Sequence, residues 1–572
     1  MGLRTALVVC LLQGTAFAQS LAERPAAGSI SGMVTDAFTG TPILGITVSA
    51  GAPAPRTGVI VPSNSPAGSD LIVKTDAQGR YKFPDLKPGE YVITVHPESI
   101  PQRPMGVIAP VSKHFTLTGG QDLASADFAV EVPGSISGNI TGPEKEPLAG
   151  ISVLLIEKAY RNSRTAYGQS SGTTTDAKGR YTLALNVRPG RSYAILARPM
   201  VRSLAPTSTA PKDPEERKLI LTPTYYPNAT TAESAQTVSL RSGEDLENVN
   251  IRMAESKSYC AEGIALAEGS PAALEFELSE AQTTNTGLTG AGGFTILPPR
   301  GTTANDGKLR ICDLHPGEYF LRVAPPGAWN RPGAPGLYAA VPLTITDHDL
   351  ADIRVNAIPG MQISGEVVWD GEPPANPPDV RIRIVASPVM LNRNVVQVER
   401  LLPGRFTLDR LPVEEYSLRM ATLPPSGFYI KDVTYGGVSI WRNTIGFFTP
   451  GGAFGGAGMK VTVAADGGTI SAMVADKDGN PVQSASVCFL PAPAGTPAEL
   501  ANGFTCTSSD AAGSAMSGTL APGKYRVLAA PVPIDRSAAN IDRLWGARLI
   551  GQEVELAPKG SMRVNLTPIS LY

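Results

Sequence analysis

A chain of 572 residues carrying 49 Lys and Arg against 51 Asp and Glu is too long for a single core and too evenly charged to neutralise a nucleic-acid backbone. Its 59 glycines and 51 prolines, with 17% charged residues, argue against long helices and for many short strands joined by turns. An all-β class follows, with no nucleic acid among the expected partners.

Arg4, the apolar run Ala6 to Leu12 and Ala16-Phe17-Ala18 before Gln19 make the three-part pattern of a cleavable secretory signal over residues 1–18. Cys10 offers a lipid-anchor alternative, but it follows the bulky Val9 inside the apolar run rather than a small residue. No later stretch approaches the ~20 apolar residues that cross a bilayer. The expectation is an exported protein, periplasmic, cell-surface associated or extracellular, with no transmembrane segment.

The first predicted unit, residues 25–131, opens with GSISGMV, where Ile30, Gly32 and Val34 share one strand face. A second strand follows at Ile46 to Ser49, then a Pro/Gly/Ser-rich surface loop from Gly51 to Gly68. TDAQGRYKFPDLKPGEYVITV, from Thr75, then reads as turn, strand, turn, strand. The stretch from Lys113 to Val130 reads as two last strands around Gly119-Gly120.

That signature recurs as GRYTLALNVRPGRSY from Gly179, GKLRICDLHPGEY from Gly307, GRFTLDRLPVEEY from Gly404 and GSAMSGTLAPGKY from Gly513. The recurrence, at intervals of roughly a hundred residues, is the spacing of ordinary domains. Units at 132–254, 255–357, 358–464 and 465–572 follow. A tyrosine closes all five copies (Tyr91, Tyr193, Tyr319, Tyr416 and Tyr525), each placed to pack its ring inward and give its hydroxyl a backbone partner. The joints between units are a few residues long, such as Glu131-Val132-Pro133, which predicts a semi-rigid rod.

GSISGxV, then TDAxGRY, then DLxPGEY resembles the carboxypeptidase regulatory-like domain, a transthyretin-like sandwich also grouped with carbohydrate-binding-like folds. The resemblance implies a tandem array of five seven-stranded transthyretin-like or Ig-like β-sandwiches after the signal. It also implies an accessory or binding role, with a polysaccharide or a cell-envelope protein as partner. The first two copies match closely and the others less. A zinc carboxypeptidase-type hydrolase, an accessory module of one, and a pure structural spacer stand as alternatives. B-type relatives join a first-strand lysine to a late asparagine, but GSISGMV and its counterparts lack that lysine.

Three motifs look catalytic. His315-Pro316-Gly317-Glu318 matches the His-x-x-Glu of metallocarboxypeptidases, but zinc needs a third ligand, and His315 stands where Lys87 and Ala521 stand in other copies. Gly168-Gln169-Ser170-Ser171-Gly172 fits Gly-x-Ser-x-Gly, yet lacks a strand-to-helix elbow and a histidine base, and reads as a loop. Asp476-Lys477-Asp478-Gly479-Asn480 begins like a calcium loop without its terminal glutamate. No catalytic, cofactor-binding or metal-binding residue is therefore assigned, and no cofactor is expected.

Four mature cysteines fall in two units, implying the disulfides Cys260 with Cys312 and Cys488 with Cys506. Aromatic residues taken to lie outside the strands are the candidate ligand contacts, as stacking platforms or partner anchors, against packing on their own units. Tyr225-Tyr226 and the cluster of Trp441, Phe447 and Phe448 are the densest groups; Tyr160, Tyr167, Trp329, Tyr338 and Trp545 are isolated.

Overall fold

The computed structural model describes residues 26–571 apart from 53–70, 102–107, 162–163, 200–210, 212, 281–299, 329–335, 376–378, 389–395, 412–414, 424–426, 442–443, 447–457, 511 and 532–533. The expected secretory signal, Cys10, most of the first unit's long loop, Trp329, Phe447 and Phe448 therefore lie outside the described residues.

Turn chemistry cuts the first unit into β1 (Gly28–Asp36), β2 (Thr47–Gly51), β3 (Leu71–Lys74), β4 (Arg80–Leu86), β5 (Gly89–His96), β6 (Val111–Leu117), β7 (Asp122–Leu123) and β8 (Phe128–Val130). One sheet runs β3-β2-β5-β6, and the other places β4 beside β1 with β7 and β8 on the opposite edge. Counting the broken β7/β8 segment once, the sandwich has seven strands. Ile30, Val34, Val48, Phe83, Ile93 and Phe128 are almost solvent-free between the sheets, as alternation along each strand requires.

The two last strands are not the adjacent pair expected around Gly119-Gly120. β6 joins the β5 edge, whereas β7 and β8 cross to the other sheet and pair with β1 in parallel. Between them the chain kinks over Gly32. A Cβ there would lie 2.1 Å from the Ala126 carbonyl oxygen, and that same carbonyl accepts the Tyr81 hydroxyl at 2.5 Å.

The second unit repeats the plan, with β9 (Ser135–Thr141), β10 (Ser152–Arg161), β11 (Arg164–Thr174), β12 (Arg180–Leu183) and β13 (Ser192–Arg198). Gly138 faces the Val249 carbonyl oxygen, which accepts the Tyr181 hydroxyl at 2.6 Å. Three further cores follow, around Phe276 and Leu321, around Ile384 and Val461, and around Val487 and Val527. Strand dominates throughout, so the protein is all-β and built of tandem sandwiches. The fifth unit adds two short helices, α1 (Pro497–Gly503) and α2 (Ala538–Ala547).

The expected rod is not what forms. α1 and α2 pack against β10 and β11 of the second unit, and Gln483 of the fifth unit donates to the His114 carbonyl of the first at 3.0 Å. The short joints therefore turn the chain back on itself rather than extend it.

Candidate functional site

The turn that opens the signature in the first, second and fifth units is a closed hydrogen-bond unit. Asp76 Oδ1 accepts the amides of Gln78 and Arg80 at 2.9 and 2.8 Å, and Asp176 and Asp510 repeat both bonds. Gly79 takes φ +71° here, which favours glycine. Thr75 Oγ1 donates to the Ile43 carbonyl and accepts the Ile46 amide, clamping the turn before β2. Thr175, Thr303 and Ser509 do the same in their units. The sequence signal for this clamp is a Thr or Ser immediately before the residue that opens the turn.

The closing tyrosines are structural. Tyr91, Tyr319 and Tyr525 donate to the carbonyls of Lys87, His315 and Ala521, four residues upstream, at 2.9, 2.8 and 2.8 Å. Tyr193 bonds the backbone of Asn186 and Arg188, and Tyr416 is fully buried. Burial pushes the Tyr193 and Tyr319 hydroxyls far above the ordinary phenol range, with nearby carboxylates adding to the rise.

The catalytic-looking motifs are used by the fold. His315 Nδ1 donates to the Pro316 carbonyl at 2.8 Å, and Nε2 lies 3.4 Å from Glu280 Oε1, which also meets Arg198 of the second unit at 3.4 Å. Burial works against the His315 imidazolium, but Glu280 and the Pro316 carbonyl outweigh it and raise its pKa. Burial likewise opposes the Glu280 carboxylate, and Arg198 and His315 hold its pKa down. Glu318 of the same motif is exposed on the next strand.

Gly168 to Gly172 is not a loop. It lies within β11, paired with β10 across a bulge, and Ser171 is buried. Asp476 accepts the amides of Asp478 and Asn480, an Asx-type turn. Among the described residues no three His, Cys, Asp or Glu side chains gather as a metal site.

Both expected disulfides are present. Cys488 and Cys506 are direct cross-strand partners, with Cα atoms 4.1 Å apart. Cys260 takes the place of Ser29 rather than that of the inward Ile30, which falls to Ala261, and it reaches Cys312 on the neighbouring strand, Cα to Cα 4.0 Å.

The aromatic candidates separate. Tyr225 is 4% exposed, so its ring cannot be a stacking platform. It packs with Leu154, Ile156 and Leu196 on the outer face of the β10–β13 sheet, where burial pushes its hydroxyl up to about 12. Ala229 and Ala232, just after it, pack in the same cluster and help cover that sheet face. Tyr226 is half-buried against the core of the second unit, and Trp441 against that of the fourth. Tyr160, Tyr167, Tyr225 and Tyr338 lie in strands and Trp545 in α2 rather than in loops. After Tyr226, Pro227 and Asn228 border an open cleft of about 590 Å³, which Asn250, Arg252 and Glu255 line with polar groups.

The first unit also buries a cation. Lys113 is 8% exposed, donates to the Asp127 carbonyl at 2.8 Å and sits 5.1 Å from the Phe128 ring centre. Burial lowers its pKa to about 8 against the opposing pull of Asp127.

Residues 29–131 match the family model of the carboxypeptidase regulatory-like domain, as the resemblance of the first signature implied. No curated protein matches the chain. Among solved structures, the TIE protein of Bacillus anthracis is 11% identical, with 74% of this chain and 68% of that one covered, at a TM-score of 0.15. A streptococcal ancillary pilin is 11% identical over 55% of this chain and 99% of that one, at 0.18. The full-length RrgB pilus protein of Streptococcus pneumoniae is 10% identical over 70% and 91%, at 0.14. TM-scores this low carry no argument about function or arrangement.

Proposed function

We propose that the protein is a non-enzymatic binding or scaffold protein acting outside the cytoplasm, with the units at 25–131, 132–254, 255–357, 358–464 and 465–572 as its domains. The observation that carries this reading is the fate of the reactive-looking motifs. His315, the Gly168–Gly172 run and Asp476 each serve a turn, a strand pair or an ion pair inside a sandwich. A regulatory-like first unit supports it as well.

A polysaccharide is the ligand class favoured for the second unit. Its cleft offers amide, guanidinium and carboxylate groups beside Pro143 and Pro227, the mixture of apolar edge and polar donors that sugar hydroxyls require. Retention of the full chain on immobilised polysaccharides, compared with Asn228→Ala and Arg252→Ala, tests this. Equal retention of wild type and both variants removes the cleft from the reading. No retention on any polysaccharide favours a protein partner or a spacer.

A further inference from the structure

The β10–β11 hairpin outruns its own sandwich. β10 spans ten residues and β11 eleven, yet β10 is supported by β13 only from Ser152 to Glu157. Beyond that point the two strands continue as a ribbon, Lys158 opposite Tyr167 and Tyr160 opposite Thr165. A two-stranded ribbon alone in water is marginal. Something else must hold it.

The fifth unit does so. Tyr160 packs on the apolar cluster that includes Leu500, Phe504, Ile541 and Leu544. Its hydroxyl donates to Asp542 Oδ1 at 2.5 Å, and Lys158 Nζ reaches Oδ2 of the same carboxylate at 3.2 Å. At the ribbon's base Arg191 bridges Glu157 at 2.8 Å and Asp535 at 3.2 Å. Arg543 donates to the Gly190 carbonyl at 2.9 Å and lies over the Phe38 ring of the first unit. A Cβ at Gly190 would stand 2.5 Å from both Arg543 and Phe38, so three units meet on one glycine.

Each unit has a core of its own without this contact, and the contact is rich in charge, with Lys158 and Asp542 39% and 44% exposed. Polar interfaces of this kind between domains of one chain permit relative motion. We propose that the β10–β11 ribbon and the α1–α2 pair are the two halves of a releasable clasp that holds the chain closed. The chain between them keeps the halves at high effective concentration, so weak contacts suffice to close it.

Full-length variants test the clasp. Asp542→Lys sets a lysine against Lys158 and removes the acceptor of Tyr160; Tyr160→Ala removes the aromatic anchor. In each, the radius of gyration from X-ray scattering is expected to rise by about a tenth, and proteolytic nicking of the ribbon to quicken about tenfold. Lys158→Asp combined with Asp542→Lys restores an opposite-charge pair and should return both readings toward wild type, while circular dichroism stays unchanged in all three. Wild-type scattering from an extended chain overturns the proposal. So does wild-type compactness in both single variants, or a charge swap no more compact than Asp542→Lys.

Discussion

The first and fifth units close the same sandwich in different ways. In the first, Gly32 on β1 lets the closing strand break between Leu123 and Phe128, and Tyr81 on β4 holds the kinked Ala126 carbonyl. In the fifth, Ala472 stands where Gly32 stands and Ala515 where Tyr81 stands. There the closing strand Ser561–Leu566 pairs without interruption along Thr469–Val474. Glycine, tyrosine and kink form one device, and the fifth unit replaces all three at once. The second unit keeps the device with Gly138, Tyr181 and the Val249 carbonyl. The break goes with the glycine and the tyrosine together: Gly263 and Gly365 keep the glycine with Leu309 and Phe406 in the tyrosine's place, and there Leu350–Pro359 and Met459–Ala464 are each one closing strand.

The sharpest way to break this comparison is Gly32→Ala. The added Cβ meets backbone, which cannot swing aside, so a loss of about 4 kcal/mol or more is expected. It should appear as exchange of the β1 amides followed by mass spectrometry. Removing the Cys260–Cys312 bridge should cost about 4 kcal/mol and the Cys488–Cys506 bridge about 3 kcal/mol on the chain-entropy account. Reduced and oxidised protein compared by denaturant unfolding checks both, with the first and second units unmoved because they carry no cysteine.

Tyr81→Phe leaves a buried carbonyl without its hydroxyl donor and should cost about 1–3 kcal/mol, while Tyr91→Phe, whose bond is exposed, should cost less. A pH series sharpens the contrast further. The folded Lys113 has its pKa lowered to about 8, below the unfolded value of about 10.4. Between those values the unfolded chain holds the proton that the folded unit has released, so stability of the first unit should rise with pH across that window. Lys113→Met should abolish the rise.

Much of the fold was legible because its signature is local chemistry. Asp76, Gly79 and Pro88-Gly89 announce turns, and Tyr81, Phe83 and Ile93 alternate as buried strand residues must. The parallel pairing of the closing strand was not legible, since it joins β1 to residues some ninety positions away. The helices of the fifth unit did carry signals. Thr496 caps α1 with Pro497 in its first turn, Glu499 reaches back to the Gly495 amide, and Ser537 caps α2. Those caps sit inside loops of a strand-dominated pattern, where three or four residues compete with a hundred. Of the candidate site, the disulfides were legible from counting. Tyr225 and Tyr338 were not, because an aromatic beside a turn looks the same whether its ring faces solvent or, as here, a sheet.

Zinc content bears most directly on the claim that these sandwiches form a scaffold. His315 is committed to Glu280 and the Pro316 carbonyl, so the purified full chain is expected to bind far less than one zinc per molecule and to leave carboxypeptidase substrates intact. One tightly held zinc per chain, lost together with peptidase activity in His315→Ala, would contradict the account.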